Sequence, residues 1–246
     1  MGTKILVVNS GSSSIKYRLF DTGDFSVLAS GMVEKIGEPG SRLQHRWKNH
    51  SGKFDEILRS FPISNHREGF QHIGNVTSES KVLEGESELL GIGHRVVHGG
   101  EVFHEPALID GTVVSAIREL IPLAPLHNPE NLLGIEAALE RYPHVPQVAV
   151  FDTAFHHSLP PHAFHYALPY DFYTSHHVRR YGFHGTSHHY VAKRAAMHLG
   201  KPLTELNFIT LHLGNWASAT AIEGGKSMPD RPKRRRGRRT ARRSIR

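Results

Sequence analysis

The chain has 246 residues, of which 38% are hydrophobic and 22% charged, and it contains no cysteine. This composition is typical of a globular protein with an apolar core, and it excludes a disulfide framework and thiolate zinc sites. The absence of cysteine also fits a reducing compartment, so we expect the protein in the cytoplasm. The apolar stretch Ile5–Val8 is too short for a signal peptide and no longer apolar run follows, so we predict no membrane span.

The charge is divided unevenly along the chain. The formal net charge is +7, but residues 231–246 hold ten Lys and Arg residues and no acidic residue. The remaining 230 residues carry 20 basic and 23 acidic side chains, a net charge of −3. The body of the chain is therefore mildly acidic. The basic tail predicts non-specific binding to polyanions.

The N-terminal segment predicts two strands joined by a turn. Lys4–Val8 is a short β-rich run, residues 9–14 read NSGSSS, and apolar and polar residues alternate over 15–19. Backbone N–H groups and hydroxyls in such a turn suit phosphate oxygens, and Lys16 adds a positive charge. An ordinary Ser/Gly hairpin loop has the same composition.

The middle of the chain predicts strands and helices in alternation, although residues 37–87 give no clear pattern. The predicted elements are a buried strand over Gly91–Gly100, a helix over Val113–Ile121, a helix capped by Asn128 over Asn131–Arg141, a strand over Val145–Phe151 that ends at Asp152, a helix capped by Thr186 or Ser187 that runs to Leu199, and a hairpin of Asn207–Leu213 and Ala217–Ile222.

The two hairpins predict an architecture of two related α/β domains, each opening with a turn that faces phosphate. The predicted boundaries are 1–150 for the first domain, 151–227 for an incomplete second domain and 228–246 for a disordered basic tail. The last hairpin is expected to have an unpaired edge and an uncovered apolar face, because the tail is too charged to pack.

Several motifs together resemble the acetate kinase family of the sugar-kinase, actin and heat-shock-ATPase superfamily. They are VVNSGSSSIKYRLFD from residue 7, GHRVVHGG at 93–100, PLHNPENLLGI at 125–135, VFDTAFHHSLP at 150–160, RRYGFHGTSHHYV at 179–191 and LHLGN at 211–215. The resemblance covers residues 3–227 in the family's order. It implies an actin-like, ribonuclease-H-like α/β fold and a homodimer when the protein is full length.

The resemblance also implies a reaction: reversible transfer of the γ-phosphoryl group of ATP to acetate, which gives acetyl phosphate and ADP and feeds acetyl-CoA biosynthesis. Mg²⁺ or Mn²⁺ is the implied metal and Asn9 helps to place it. By the same resemblance Lys16, Ser12 and Ser14 contact the nucleotide phosphates. Arg95 and His127 bind the substrate.

Two further residues are implied to be catalytic. Asp152 is the family's essential acid, with proton transfer and electrostatic orientation as alternative roles. His184 stabilises charge on the phosphoryl group during transfer. The second turn is implied to bind the nucleotide through His212, Leu213, Gly214, Asn215 and Trp216.

Two features depart from the family pattern. The family has glycine where this chain has Trp216, and an indole there is expected to crowd the phosphates or distort the turn. The match also stops after Ser227, where the rest of the second domain is expected. An inactive truncated fragment is therefore one alternative function.

Other functions stay open beside this one. Propionate or another short-chain carboxylate is an alternative substrate, since one methylene changes binding by only about 1–3 kcal/mol. Nucleic-acid binding through the tail belongs to a different class, and the tail lacks the aromatic residues and fold that favour it. His184 and His188 have the spacing of a zinc pair, but no third ligand is evident.

Overall fold

The computed structural model describes residues 3–214 and 216–228. Within them the predicted mixed α/β class is confirmed. Asn215 and residues 229–246 of the predicted tail lie outside the described residues, whereas Met228, the first residue of that predicted tail, ends a strand. The predicted division into domains stays a prediction.

A large mixed sheet forms the centre of the molecule. Its eight strands are β1 (Lys4–Gly11), β2 (Ser14–Asp21), β3 (Val27–Glu34), β4 (Arg42–Lys48), β5 (Phe54–Ser60), β6 (Leu89–Val96), β7 (Ala107–Leu108) and β8 (Gln147–Phe151). The spatial order is β5-β4-β3-β2-β1-β6-β8-β7. Strands β1, β6 and β8 are parallel to one another, and the other pairs are antiparallel.

The described part of the chain also forms six α-helices and a smaller second sheet. The helices are α1 (His66–Glu79), α2 (Gly111–Glu119), α3 (Asn128–Arg141), α4 (Pro161–Phe164), α5 (Asp171–His176) and α6 (Gly185–His198). The second sheet has the order β11-β10-β9, with β9 at Asn207–His212, β10 at Ser218–Glu223 and β11 at Lys226–Met228.

One face of the large sheet carries the main core. Alternate residues of β1 and β2, among them Leu6 and Ile15, are buried against α1, whose Phe70 is 1% exposed. Helix α3 packs beside them on the same face. It approaches β1 so closely that a Cβ on Gly134 would lie 2.1 Å from Ser10 Oγ. Glycine in this helix therefore sets the distance between α3 and the strand that leads to the first turn.

The predicted strands and helices are confirmed, with ends that shift by a few residues, but the predicted caps are wrong. Asn128 is the first residue of α3 rather than its cap. Its side chain instead accepts from His98 N at 3.1 Å and donates to His98 O at 3.0 Å. Helix α6 begins at Gly185, so neither Thr186 nor Ser187 caps it. Strands β4 and β5 and helix α1 fall in the segment that gave no clear pattern.

Candidate active site

The parallel strands end at one edge of the large sheet, and each brings a polar side chain there. In β1 and β6, Val8 pairs with His94, so the residues that follow them, Asn9 and Arg95, are neighbours. In β6 and β8, Arg95 pairs with Val150, and Asp152 follows β8 directly. The carboxyl ends of parallel strands are where α/β proteins place their ligand sites.

Arg95 joins these strand ends. Its Nε and Nη2 atoms donate to Asp152 Oδ2 at 3.1 and 2.6 Å, and its Nη1 donates to Asn9 Oδ1 at 3.4 Å. The Asp152 side chain is 2% exposed, whereas that of Arg95 is 38% exposed. The pair thus holds a buried carboxylate and leaves part of a guanidinium facing solvent, where it can bind an anion.

The first residues of α6 contact Asp152, the carboxylate partner of Arg95. Gly185 N donates to the backbone oxygen of Asp152 at 2.9 Å, and Thr186 Oγ1 donates to Asp152 Oδ1 at 3.4 Å. His184, just before the helix, adopts a left-handed conformation with φ 57°. A residue other than glycine in this region is strained, and such strain clusters at functional sites.

His184 also contacts the second sheet. Its Nδ1 is 2.8 Å from Ser218 Oγ at the start of β10, and its ring stacks on His212 of β9 with centroids 4.0 Å apart. Burial, followed by the charge of His212, lowers the pKa of His184, while the Asp152 carboxylate acts in the opposite direction. The lowered pKa favours the neutral form of the His184 ring.

These side chains line one open cleft of about 390 Å³. Its lining residues are Arg95, Asp152, His184, Thr186, Ser187, Tyr190 and His212. The structure thus brings together four of the predicted site residues, which come from two strand ends, one helix start and the second sheet. The exposed guanidinium and the positive end of the α6 dipole both favour an anion in this cleft.

Two residues that flank the first predicted phosphate turn, Asn9 and Lys16, line a neighbouring groove. Lys16 pairs with Asn9 across β1 and β2, and both line an open groove of about 430 Å³ together with Arg18 and Arg46. Ser12 is exposed in the turn itself and Ser14 begins β2. Asn9 thus borders both the basic groove and, through Arg95, the cleft.

Other predicted residues lie elsewhere. His127 is exposed just before α3 and is not among the residues that line the cleft in the described part of the chain. In the second predicted turn, Leu213 is 77% exposed and Trp216 is 64% exposed. Gly214 lies next to Leu213, and Asn215 is not among the described residues. The indole therefore points into open space in this structure.

The zinc alternative finds no support. Residues 3–214 and 216–228 contain no group of three His, Cys, Asp or Glu side chains that could hold a metal ion. His184 and His188 instead share the hydroxyl of Ser218, at 2.8 Å each. In the same described residues no helix has the length and apolar character needed to cross a membrane.

Sequence reasoning missed several contributors to the site, chiefly Gly185, Ser187 and Ser218. A signal for the last of these was present. Thr210 and His212 alternate along β9, and Ser218 and Thr220 alternate along β10. A row of polar residues at every second position of an apolar hairpin indicates a face turned toward polar partners.

The comparisons with known proteins agree with the fold and the motifs. The model of the acetokinase family matches residues 4–230, so the chain belongs to the acetokinase family. Its sequence is 55% identical over 228 residues to an acetate kinase of Syntrophobacter fumaroxidans and 50% identical over 227 residues to one of Acetivibrio thermocellus. These alignments cover 92% and 91% of this chain but 55% and 56% of those relatives.

Solved structures give the same result. The crystal structure of the Porphyromonas gingivalis acetate kinase has a TM-score of 0.84 at 43% identity, and it matches 93% of this chain and 57% of that one. A propionate kinase from Francisella tularensis subsp. tularensis has the same TM-score at 38% identity, over 93% of this chain and 56% of its own. The predicted actin-like α/β fold class is therefore confirmed. The chain spans about half the length of the relatives that it matches.

Proposed function

We propose that the cleft catalyses reversible phosphoryl transfer from ATP to acetate, giving acetyl phosphate and ADP. The observation that carries this proposal is the guanidinium of Arg95, which is fixed by the buried carboxylate of Asp152 and faces His184 across the cleft. An acetate oxygen forms the new bond to phosphorus while the bond between the γ-phosphorus and the bridging oxygen breaks. The negative charge on the phosphoryl group is stabilised during transfer by positive groups such as the Arg95 guanidinium and by the N-terminus of α6.

Asp152 orients Arg95 in this proposal. A carboxylic acid with an ordinary pKa of about 4 is ionised at neutral pH, so acetate has no proton to lose before it attacks. Asp152 Oδ2 already accepts two hydrogen bonds from Arg95. The geometry thus favours the orienting and electrostatic role over proton transfer, and Arg95 is the group that binds the acetate carboxylate or the phosphoryl oxygens.

The residues present fit a magnesium ion that is carried by nucleotide phosphates. Asn9 Oδ1 and Asp152 Oδ1, the carboxylate oxygen that is not bonded to Arg95, would supply hard oxygen ligands, and Mg²⁺ commonly takes one or two such ligands beside phosphates and water. Mn²⁺ fits the same donors. When bound, the ion neutralises phosphate charge. Lys16 of the neighbouring groove, with Ser12 and Ser14 of the adjoining turn, is proposed to hold the phosphates.

The assignment is tested on the 246-residue chain by trapping acetyl phosphate as a hydroxamate and by titrating the chain with acetyl phosphate. Asp152→Asn, Arg95→Met and His184→Ala are expected to lose turnover and to weaken binding, while the exposed His144→Ala and Asp171→Asn serve as matched controls. Acetyl phosphate binding that is unchanged in Arg95→Met would contradict the site.

Propionate is the second candidate acceptor, because a propionate kinase structure has the same TM-score to this chain as an acetate kinase structure, 0.84. The ratio of kcat/KM for acetate and propionate decides between them. We also propose a cytoplasmic location, a homodimer and polyanion binding by the tail. They are supported by the lack of cysteine, by family membership and by the ten basic residues.

A further inference from the structure

A continuous chain of hydrogen bonds runs from the cleft into the protein. His184 Nδ1 is 2.8 Å from Ser218 Oγ, which is 2.8 Å from His188 Nε2. His188 Nδ1 is 2.8 Å from Thr210 Oγ1, and that hydroxyl donates to the backbone oxygen of Thr220 at 3.4 Å. The inner members are shielded, since His188 is 1% and Thr210 6% exposed.

The chain has a direction, because each hydroxyl holds one proton and a carbonyl oxygen only accepts. Thr210 donates to the carbonyl, so it accepts from the Nδ1–H group of His188. Neutral His188 then has a bare Nε2, which accepts the proton of Ser218. Ser218 has no proton left, so its oxygen accepts from the Nδ1–H group of His184.

The surroundings of His188 keep this order intact. Burial, with smaller contributions from His156, His184 and His212, lowers the pKa of His188 to about 4, so the ring stays neutral as the chain requires. The other charged or titratable groups that line the cleft beside His184 are Arg95, Asp152, Tyr190 and His212. His212 has its own partner, since its Nδ1 is 2.9 Å from Ser187 Oγ.

We propose that Ser218, His188 and Thr210 are positioning residues that hold His184 as the Nδ1–H tautomer and leave its Nε2 atom for the cleft. This inference rests on the proposed function, in which His184 meets the phosphoryl group. A bare Nε2 attracts a phosphoryl oxygen only after it takes up a proton. Binding of the anion is therefore coupled to the uptake of one proton from solvent at His184 Nε2, the one ring nitrogen that the hydrogen-bond chain leaves open.

The tautomers are measured on the full chain, labelled for nitrogen NMR, by long-range proton–nitrogen correlation at neutral pH. His184 and His188 are expected as Nδ1–H tautomers. His98 and His156 provide references of the opposite kind, since Gly100 N donates to His98 Nδ1 at 3.0 Å and His156 Nε2 is 3.0 Å from the backbone oxygen of Phe183. An Nε2–H tautomer at His184 overturns the proposal.

Variants then test which residue fixes the tautomer. Ser218→Ala should shift His184 toward the Nε2–H form, while Thr210 keeps His188 as Nδ1–H. Ser218→Thr should restore the native spectrum. Ser227→Ala is the matched control. Ser227 Oγ is 2.8 Å from His156 Nδ1, so it also contacts a histidine, but it does not belong to the hydrogen-bond chain that starts at His184.

An unchanged His184 tautomer in Ser218→Ala contradicts the proposal. If that variant loses the native His98 signals and so has not folded, the unmodified chain alone decides the question. The tautomer is read without turnover, so a failure to form acetyl phosphate counts against the proposed function alone, and an Nε2–H tautomer in an active protein counts against this inference alone.

Discussion

Gly185 is held directly against the backbone of Asp152. Its N–H donates to the Asp152 carbonyl at 2.9 Å, and a Cβ added to Gly185 would lie 2.4 Å from that oxygen. The contact couples the start of α6 to the end of β8. It therefore fixes His184, the residue before Gly185, relative to the buried carboxylate.

Gly185→Ala is expected to move α6 away from Asp152. Forcing a methyl group into this contact costs about 1–3 kcal/mol. A displacement of about 1 Å at His184 lowers turnover by about 100-fold. Urea unfolding and the hydroxamate assay measure the two effects.

The control for this change is Gly111→Ala. Gly111 is also the first residue of a helix, and an added Cβ there meets nothing within 4 Å. The control should be neutral or stabilising by up to about 1 kcal/mol. Equal stability of the two variants would show that Gly185 is not a close contact.

Arg95→Met should destabilise the fold as well as the site, since it leaves the Asp152 carboxylate buried without its ionic partner. Leaving a buried charge without its partner costs about 3–5 kcal/mol. Adding Asp152→Asn should recover part of it, and the coupling energy of a double-mutant cycle from urea unfolding measures how much.

Arg118→Met is the control for the charge change. Arg118 pairs with Glu136 at 2.7 Å, but both side chains are about half exposed. Removing such a surface pair costs less than about 1 kcal/mol. A coupling energy near zero for Arg95 and Asp152 would mean that their ion pair does not form in solution.

Much of this site could be predicted from the sequence, because strand ends carry local signals. The run before Asp152 is apolar and β-rich, so this residue could be placed where a strand stops. Arg95 lies inside the predicted strand over 91–100, and only the family resemblance marked it as a site residue. Residues 37–87 gave no such signal. Strand β5 is exposed at every position except the half-buried Ile57, so it has no apolar face to detect. Strand β4 does alternate between exposed and buried positions, but one of its buried residues is His45, which hides the apolar alternation that marks a half-buried strand.

The caps and the hydrogen-bond chain could not be predicted because they depend on contacts between distant segments. Asn128 has the sequence position of a helix cap, yet its side chain forms hydrogen bonds with the backbone of His98, which is 30 residues away. Ser218 meets His184 only because β10 packs beside the start of α6. His212 was predicted from the motif, but its stacking on His184 is a tertiary contact.

The fold should lose stability as the pH falls from about 6.5 to about 4. Burial lowers the pKa of His94 and of His98 to about 4, whereas an unfolded histidine has a pKa of about 6.5. Between pH 6.5 and pH 4 these histidines bind protons in the unfolded chain but not in the folded chain. The free energy of unfolding is therefore highest above pH 6.5 and decreases as the pH falls toward 4. Urea unfolding at several pH values measures the decline.

Replacing a buried histidine should flatten this decline. His94→Gln removes one titrating group, so the slope should decrease by up to about 1.4 kcal/mol per pH unit. The exposed His144→Gln should leave the slope as it is. Parallel pH profiles for the unmodified chain and His94→Gln would refute the low pKa of His94.

Within residues 3–214 and 216–228, the second sheet exposes apolar side chains on its edge strand. Strand β9 is the last strand of its sheet among the described residues, and Ile209 and Leu211 on its outer face are 80% and 60% exposed. Leu213 beyond its end is 77% exposed. An apolar face beside an unpaired strand edge promotes association between chains.

Replacing Ile209 and Leu211 together with threonine should therefore reduce self-association of the purified chain, measured by light scattering over a range of concentrations. Threonine keeps a high β-propensity, and exposed positions contribute little to stability, so the free energy of unfolding should change by less than about 1 kcal/mol. Leu126→Thr is the control, because Leu126 is 75% exposed but lies outside any strand. If the double variant associates as strongly as the unmodified chain while Leu126→Thr associates less, the surface that mediates self-association does not lie on β9.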